Sequence, residues 1–254
     1  MNRCRDREGT ISPIRIHQPE KGYRFSIDSV LLADFAAQYC GRSVLDLGTG
    51  SGVVLLLLAG RCRRLRQGVG VEIQPALWEF ACRNIEENGF GGRLFAVLGD
   101  FRDDLPALAP RSFDLVVSNP PYRKIGEGRR NPDPRKEIAR HEVACTMADV
   151  CAAAGRYLSP RGRFAIVGPS HRLPEIFSLG LASGLRPETV RFVRPYAGRP
   201  ANRVLVAGSR RKTPEPAILP SLVVYSAKGR YHPEVERIFA RFFREEYPEE
   251  ILSP

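Results

Sequence analysis

The stretch Ser43-Val44-Leu45-Asp46-Leu47-Gly48-Thr49-Gly50-Ser51-Gly52, followed without a break by Val53-Val54-Leu55-Leu56-Leu57-Leu58-Ala59, decides the fold. Residues 43–47 read as a strand, the glycines at alternate positions as a tight turn, and 53–59 as an apolar helix. A strand that passes through a glycine turn straight into a helix is the unit from which parallel sheets are built. The alternation continues on the C-terminal side. A second strand is expected over 68–72, then a helix that has Pro75 in its first turn and closes at Asn88-Gly89. Further strands are expected over 94–98 and 113–118, a helix over 141–158 and a strand over 163–167. A helix over 174–183 and strands over 189–193 and 204–207 complete the pattern.

This order predicts an α/β fold with a seven-stranded, mostly parallel sheet and helices on both faces. Only the loop Pro195-Tyr196-Ala197-Gly198-Arg199-Pro200 separates the last two strands, which predicts an antiparallel hairpin at one edge. In that respect the pattern resembles the Rossmann-like class I methyltransferases. On the N-terminal side Ile27, Val30, Leu31, Asp34 and Phe35 recur at helical intervals, with Ser26 or Asp28 placed to cap and Gly41 beyond the end. Past the core, 211–216 reads as an exposed linker, 222–225 as a small strand and 233–243 as an amphipathic helix. The chain is expected to be a single domain over 1–254, with a helical lead-in at 11–40, a core at 43–210 and a C-terminal extension at 211–254.

Hydrophobic residues make up 43% of the chain and charged ones 26%, the balance of a soluble globular protein. The longest apolar run, 53–59, is far short of the ~20 residues of a membrane helix. No hydrophobic segment follows the charged start, so a cytoplasmic protein without a membrane partner is expected. The six cysteines form no Cys-x-x-Cys pair, and His17, His141, His171 and His232 are scattered. Reduced thiols and no metal site are the expectation. The net charge of +11 points to a polyanion, most simply nucleic acid. An arginine-rich proteome would give the same excess, and arginine does greatly outnumber lysine here.

In the glycine turn the spacing is Gly48-x-Gly50-x-Gly52, with Asp46 two positions ahead. A dinucleotide turn brings glycine backbone up to a pyrophosphate. Asp46 would repel that group, yet it suits a ligand carrying an ammonium and a sulfonium. Glu72, ending the second strand, offers acceptor oxygens for both ribose hydroxyls. Asp100, after the third strand, offers an acceptor for an adenine amine, and Phe101 a ring to pack on the base. Singly, each also fits an ordinary turn or helix cap. Jointly they stand at the carboxyl ends of consecutive strands, where open α/β sheets bind ligands. Asp46, Gly48, Gly50, Gly52, Glu72, Asp100 and Phe101 therefore predict an S-adenosylmethionine site, with a nicotinamide dinucleotide as the weaker competitor.

The strand over 113–118 delivers Asn119-Pro120-Pro121-Tyr122. The two prolines donate no hydrogen bond and keep the residues before them extended, so the turn is stiff. It presents an amide, bare carbonyls and an aromatic ring, as a plain Pro-Pro loop also would. Beside a methyl donor it gains a chemistry. An aromatic amine is a poor nucleophile because its lone pair is delocalised into the ring. The Asn119 side-chain oxygen and the Pro120 carbonyl can each accept one amine hydrogen, aiming the lone pair and stabilising the charge that develops. One such preorganised contact is worth about 2.7–4 kcal/mol in the transition state. Tyr122 can stack on an extruded base. Asn119, Pro120 and Tyr122 are the candidate catalytic residues, and no catalytic Ser, Cys or His is required.

Asp46-x-Gly48-x-Gly50-x-Gly52 together with Asn119-Pro120-Pro121-Tyr122 resembles the class I amino methyltransferases, which act on adenine N6, cytosine N4 or a glutamine amide. More narrowly, Tyr23-Arg24-Phe25-Ser26-Ile27-Asp28-Ser29-Val30-Leu31-Leu32 and Ala139-Arg140-His141-Glu142 are similar to the bacterial tRNA1(Val) adenine-N6 methyltransferase family. That family methylates the adenosine just 3′ of the anticodon. The resemblance implies cofactor contacts at Asp46, Gly48, Glu72 and Asp100, and substrate contacts at Asn119, Pro120 and Tyr122. It also brings Phe25 and Asp28 to the mouth of the site, where a structural role is favoured for Asp28.

The functional expectation is therefore S-adenosylmethionine-dependent N6-methylation of an adenosine in tRNA, beside the anticodon of tRNA(Val). A protein glutamine N5-methyltransferase shares the four-residue motif, but such enzymes usually carry a helical recognition domain ahead of the first strand. A fold that keeps RNA binding without catalysis is the third reading, and the intact motifs argue against it. Between Tyr122 and His141 lie Arg123, Lys124, Arg129, Arg130, Arg135, Lys136 and Arg140, against three carboxylates. A charged, glycine- and proline-bearing loop beside the reactive turn is expected to hold RNA phosphates. Neutralising Arg129, Arg130 and Arg135 together is expected to weaken tRNA binding and flatten its salt dependence. An unchanged slope of affinity against salt would make the loop a bystander.

Overall fold

In the computed structural model, which describes residues 14–19, 25–120, 145–211 and 215–243, the stretch that opened the sequence forms the centre of the sheet. β1 (Ser43–Leu47) lies between β2 (Gln67–Glu72) and β4 (Phe113–Ser118) and is parallel to both. β3 (Leu94–Leu98) pairs outside β2, and β5 (Leu158–Pro169) beside β4, again parallel. The direction then reverses. β7 (Arg203–Ser209) is antiparallel both to β5 and to β6 (Arg186–Arg194).

Among the described residues the sheet has eight strands, one more than the expected seven. β8 (Ala217–Val223) pairs parallel with β6, so the sheet order is β3-β2-β1-β4-β5-β7-β6-β8 and the β6–β7 hairpin is not the edge. The strand expected at 222–225 thus starts earlier. Pro220 hid it: proline reads as a strand breaker, but an outermost strand tolerates one because one side of its ladder is unpaired.

The central strands are near-continuous apolar runs because both faces are covered. Val44, Leu115 and Val117 pack with α1 (Ile27–Ala37) and α2 (Val53–Arg61), whereas Leu45, Leu47 and Val116 pack with α4 (Met147–Tyr157) on the opposite face; α3 (Pro75–Glu87) connects β2 to β3. α2 is buried from Val53 through Ala59, as a helix apolar all round must be. α3 ends as the sequence predicts. Gly89 is left-handed (φ 70°), its N–H donates to the Glu86 carbonyl (2.9 Å), and the Phe90 N–H reaches the Ile85 carbonyl (2.9 Å). α4 starts in a reciprocal cap: the Asp149 N–H donates to Thr146 Oγ1 (3.2 Å) and the Thr146 N–H to Asp149 Oδ2 (2.8 Å). The expected helical residues 141–144 lie outside the described residues. α5 (Leu173–Ala182) follows a short 3-10 turn, and α6 (Pro233–Ala240) closes the described chain. The expected caps of α1 are corrected too. Ser26 makes no side-chain capping bond, and Asp28 instead accepts from Arg203 Nε at the start of β7 (2.9 Å).

Before α1, an extended segment is fastened to α3 by two asparagines one turn apart. The Arg15 N–H donates to Asn88 Oδ1 (2.9 Å) and Asn88 Nδ2 to the Arg15 carbonyl (2.7 Å). The His17 N–H donates to Asn84 Oδ1 (2.7 Å) and Asn84 Nδ2 to the His17 carbonyl (2.8 Å). Four helical residues rise about 6 Å and two extended residues about 6.6 Å, so the two spacings match. Asn84 Nδ2 also donates to the Ser51 carbonyl (2.9 Å), linking this segment to the glycine turn.

The C-terminal extension joins the same core. Leu222, Val224, Val235, Ile238, Phe239 and Phe242 are buried in one cluster with α1 and α2. We infer that it folds with the rest as one unit. Phe239→Ala is expected to cost about 3–5 kcal/mol of global stability, read as a lower midpoint in a single urea transition. A separate, earlier transition of the extension would count against one domain.

Candidate active site

The glycine turn is bent back over the end of β2. The N–H groups of Gly48 and Thr49 both donate to the Val71 carbonyl (3.0 and 2.9 Å), and Gly50 N–H donates to Glu72 Oε2 (2.9 Å). Gly48, Gly50 and Gly52 have φ of 71°, 59° and 83°, the left-handed region that favours glycine. A Cβ on Gly48 would meet nothing within 4 Å, so the demand there is conformational rather than steric. Glu72 Oε1 accepts the Gln74 N–H (2.9 Å). Gln74 Nε2 donates to the same Oε1 (3.4 Å); a carboxylate offers about four acceptor sites, so these three bonds fix its plane without exhausting it.

Asp46 is buried beneath the turn, and Thr49 Oγ1 donates to its Oδ2 (2.7 Å). Gly70 makes that possible. A Cβ there would stand 2.7 Å from both Thr49 Oγ1 and Cγ2. Burial pushes the Asp46 carboxyl up to about 7; the Thr49 hydrogen bond opposes this, and the Glu72 charge adds to it. Asp100 behaves oppositely. Arg102 donates to it from Nε (2.9 and 2.8 Å) and from its backbone N–H (2.9 Å), with a further contact from the guanidinium Nη2. That pairing holds the Asp100 carboxyl below the usual range.

Gly48, Gly50, Glu72, Asp100, Phe101 and Asn119 line one hollow of about 620 Å³, a figure that counts its solvent-open mouth. A second, of about 280 Å³, meets it at Gly48 and Asn119 and is walled by Phe25, Ser29 and Asp46. The structure therefore gathers every predicted cofactor residue but Gly52, which sits behind the site at the start of α2. Asn119 stands where the hollows join. Its Nδ2 donates to Ser29 Oγ (3.0 Å), which makes Oδ1 the acceptor end of the amide. Ser118 Oγ donates to the Leu47 carbonyl (2.8 Å), tying the end of β4 to that of β1. Pro120 follows and is buried. Tyr122, Arg123, Lys124, Arg129, Arg130, Arg135 and Lys136 lie outside the described residues.

Ser29, Thr49, Gln74 and Arg102 were not singled out from the sequence. Thr49 carried a signal, a hydroxyl three residues after Asp46 and opposite a glycine in the next strand. Ser29 reaches the site only through tertiary contact.

A family model for a methyltransferase domain matches residues 40–184. A tRNA1(Val) (adenine(37)-N6)-methyltransferase of Porphyromonas gingivalis is 30% identical over 239 residues, covering 90% of this chain and 91% of that protein. The chain belongs to this methyltransferase family. A relative of the same name from Pedobacter heparinus is 31% identical over 229 residues, covering 90% of this chain and 94% of its own. Among solved structures, a "predicted O-methyltransferase" from Agrobacterium tumefaciens matches with a TM-score of 0.66 at 19% identity, over 87% of this chain and 99% of that one. At that identity the likeness is one of fold. Among the described residues no helix is long and apolar enough to cross a membrane. No group of three or more His, Cys, Asp and Glu among them could hold a metal ion.

The Asp46 shift gives a signed prediction. Its pKa in the folded chain, about 7, lies above the ordinary 3.8. Its contribution to stability is therefore complete below about pH 4 and lost as pH rises through about 7. A cationic ligand favours the ionised form, so affinity for S-adenosylmethionine should rise by up to ~10-fold per pH unit below about pH 7 and then level off. Calorimetric titration of the protein with S-adenosylmethionine over that range is the measurement. Affinity independent of pH would remove Asp46 from the role.

Proposed function

We propose that the protein transfers a methyl group from S-adenosylmethionine to N6 of adenine 37 in tRNA1(Val). The observation that carries this reading is Asn119, fixed by Ser29 at the junction of two hollows with Asp46 and Glu72 beside it. The donor set fits the cofactor. Glu72 would take its ribose hydroxyls, Asp100 its adenine amine, Phe101 the face of that ring and Asp46 its cationic end. S-adenosylmethionine, when bound, supplies the electrophilic methyl.

The chain's own residues then act on the amine. Asn119 Oδ1 and the Pro120 carbonyl accept the two hydrogens on N6, which directs the nitrogen lone pair at the methyl. The same acceptors stabilise the positive charge on N6 until its extra proton leaves to water. Burial around Asn119 strengthens both bonds by excluding competing solvent. Tyr122 would stack on the extruded base, and Arg123, Lys124, Arg129, Arg130, Arg135 and Lys136 would hold phosphates.

The names of the relatives and the net charge of +11 favour tRNA as the acceptor. An anticodon-loop base is also largely unpaired, so extruding it costs little. The protein would act in the cytoplasm, consistent with free thiols at Cys40, Cys62, Cys82, Cys145 and Cys151.

Unmodified tRNA incubated with the protein and S-adenosylmethionine should yield N6-methyladenosine, identified by mass spectrometry of its nucleosides. Asn119→Ala is expected to lower transfer by about 10²–10³-fold, with S-adenosylmethionine affinity retained. Methylation of a release-factor-like protein but not of tRNA would favour a glutamine methyltransferase. Binding of tRNA with no transfer to any acceptor would favour a fold retained for RNA binding alone.

A further inference from the structure

Two loops beside the candidate site have no role in the chemistry above. Because β7 runs antiparallel, its first residue, Arg203, pairs with Pro169 at the carboxyl end of β5. Arg194 and Val223, the last residues of β6 and β8, pair with each other. Segments 195–202 and 224–232 therefore emerge at the end of the sheet that carries Asn119. They are fastened together: the Val224 N–H donates to the Arg194 carbonyl (2.8 Å) and the Tyr225 N–H to the Pro195 carbonyl (2.9 Å). The second segment folds into a small hairpin of β9 (Tyr225–Ala227) and β10 (Arg230–Tyr231).

Residues 194–203 and 224–232 carry Arg194, Arg199, Arg203, Lys228 and Arg230 and no carboxylate. Asp28, which faces them from α1, is taken up by Arg203, and Glu234 by Arg191 (2.5 Å). Arg199, Lys228 and Arg230 are exposed. An aromatic stack runs through the same place. Ring centroids of Tyr196 and Tyr225 are 5.6 Å apart, those of Tyr225 and Tyr231 5.3 Å at 14°, and those of Tyr231 and Phe239 5.1 Å. The stack runs from exposed Tyr196 down to fully buried Phe239, which meets buried Phe243 in turn (6.1 Å). A ring braced from behind offers its outer face to another ring at little cost in side-chain freedom. The path to the reacting centre is short, since Arg203 bonds Asp28 and the next residue, Ser29, bonds Asn119.

We propose that segments 194–203 and 224–232 form one RNA-binding face, in which Arg199, Lys228 and Arg230 hold phosphates and Tyr196 stacks an unpaired base neighbouring the one methylated. This rests on the tRNA reading above. Cations alone would make a merely solvated surface. The tyrosine stack rising among them is what fits a single-stranded segment with exposed bases.

The test uses the full chain with unmodified tRNA, comparing wild type with the triple variant Arg199→Gln, Lys228→Gln, Arg230→Gln, and with Tyr196→Ala and Tyr196→Phe. Each phosphate contact contributes about 0.7–0.9 to the slope of log affinity against log salt, so the triple variant should flatten it by about 2. Tyr196→Ala should bind tRNA about tenfold more weakly, and Tyr196→Phe like wild type. S-adenosylmethionine affinity should be unchanged in all three, which also shows that they fold. Unaltered slope and affinity in the variants, while wild type binds and methylates tRNA, would overturn the face and leave the functional reading standing. Equal losses in Tyr196→Ala and Tyr196→Phe would overturn the stacking. A wild type that neither binds nor methylates tRNA would overturn both.

Discussion

The site depends on how the glycine turn is pulled back over β2. One carbonyl, that of Val71, takes two successive N–H groups, and the Glu72 carboxylate takes a third. These bonds require the left-handed backbone at Gly48 and Gly50 and set the direction in which α2 leaves. They also place Glu72 close enough for its charge to act on Asp46. Two neighbouring carboxylates in a buried place are unfavourable unless something compensates. The Gly50 and Gln74 N–H groups compensate at Glu72, and the Thr49 hydroxyl partly does so at Asp46, whose carboxyl stays raised.

The end of β4 has a different logic. α1 takes part in positioning Asn119, through Ser29, while Ser118 anchors the strand end before it. α1 is itself fixed to the far half of the sheet by Asp28 and Arg203. The Asn119 amide is therefore sensitive to elements distant in sequence, including the C-terminal extension that packs with α1 in one apolar cluster.

What could be read from the chain follows the range of the interactions. β1, the turn and α2 were legible because a glycine spacing and an apolar run are local. Glu72 and Asp100 were legible as acids at strand ends, but the Arg102 guanidinium on Asp100 was not, because nothing in the spacing distinguishes it from any surface arginine. β8 was read too short because Pro220 looks like an interruption until one knows that the strand is outermost. The pairing of Gly70 with Thr49 needs the parallel register of β1 and β2, which no single segment contains. Tyr196 stood in a loop read only as a hairpin connection, and its stack with Tyr225 joins parts of the chain that no local pattern relates.

The two asparagines that hold the lead-in segment have a further meaning. Asn84 and Asn88 bond the backbone of residues 17 and 15, each offering one donor and one acceptor, as a neighbouring strand would. A helix thereby serves as the edge of a two-rung ladder. His17 adds a side-chain contact to the ladder, its Nε2 standing 2.5 Å from Glu87 Oε2 in the last turn of the same helix. Lengthening either asparagine to glutamine would push the ladder out of step by one methylene, and Asn84 would also lose its grip on Ser51. The entry of the chain into the fold is thus encoded some seventy residues away from where it occurs.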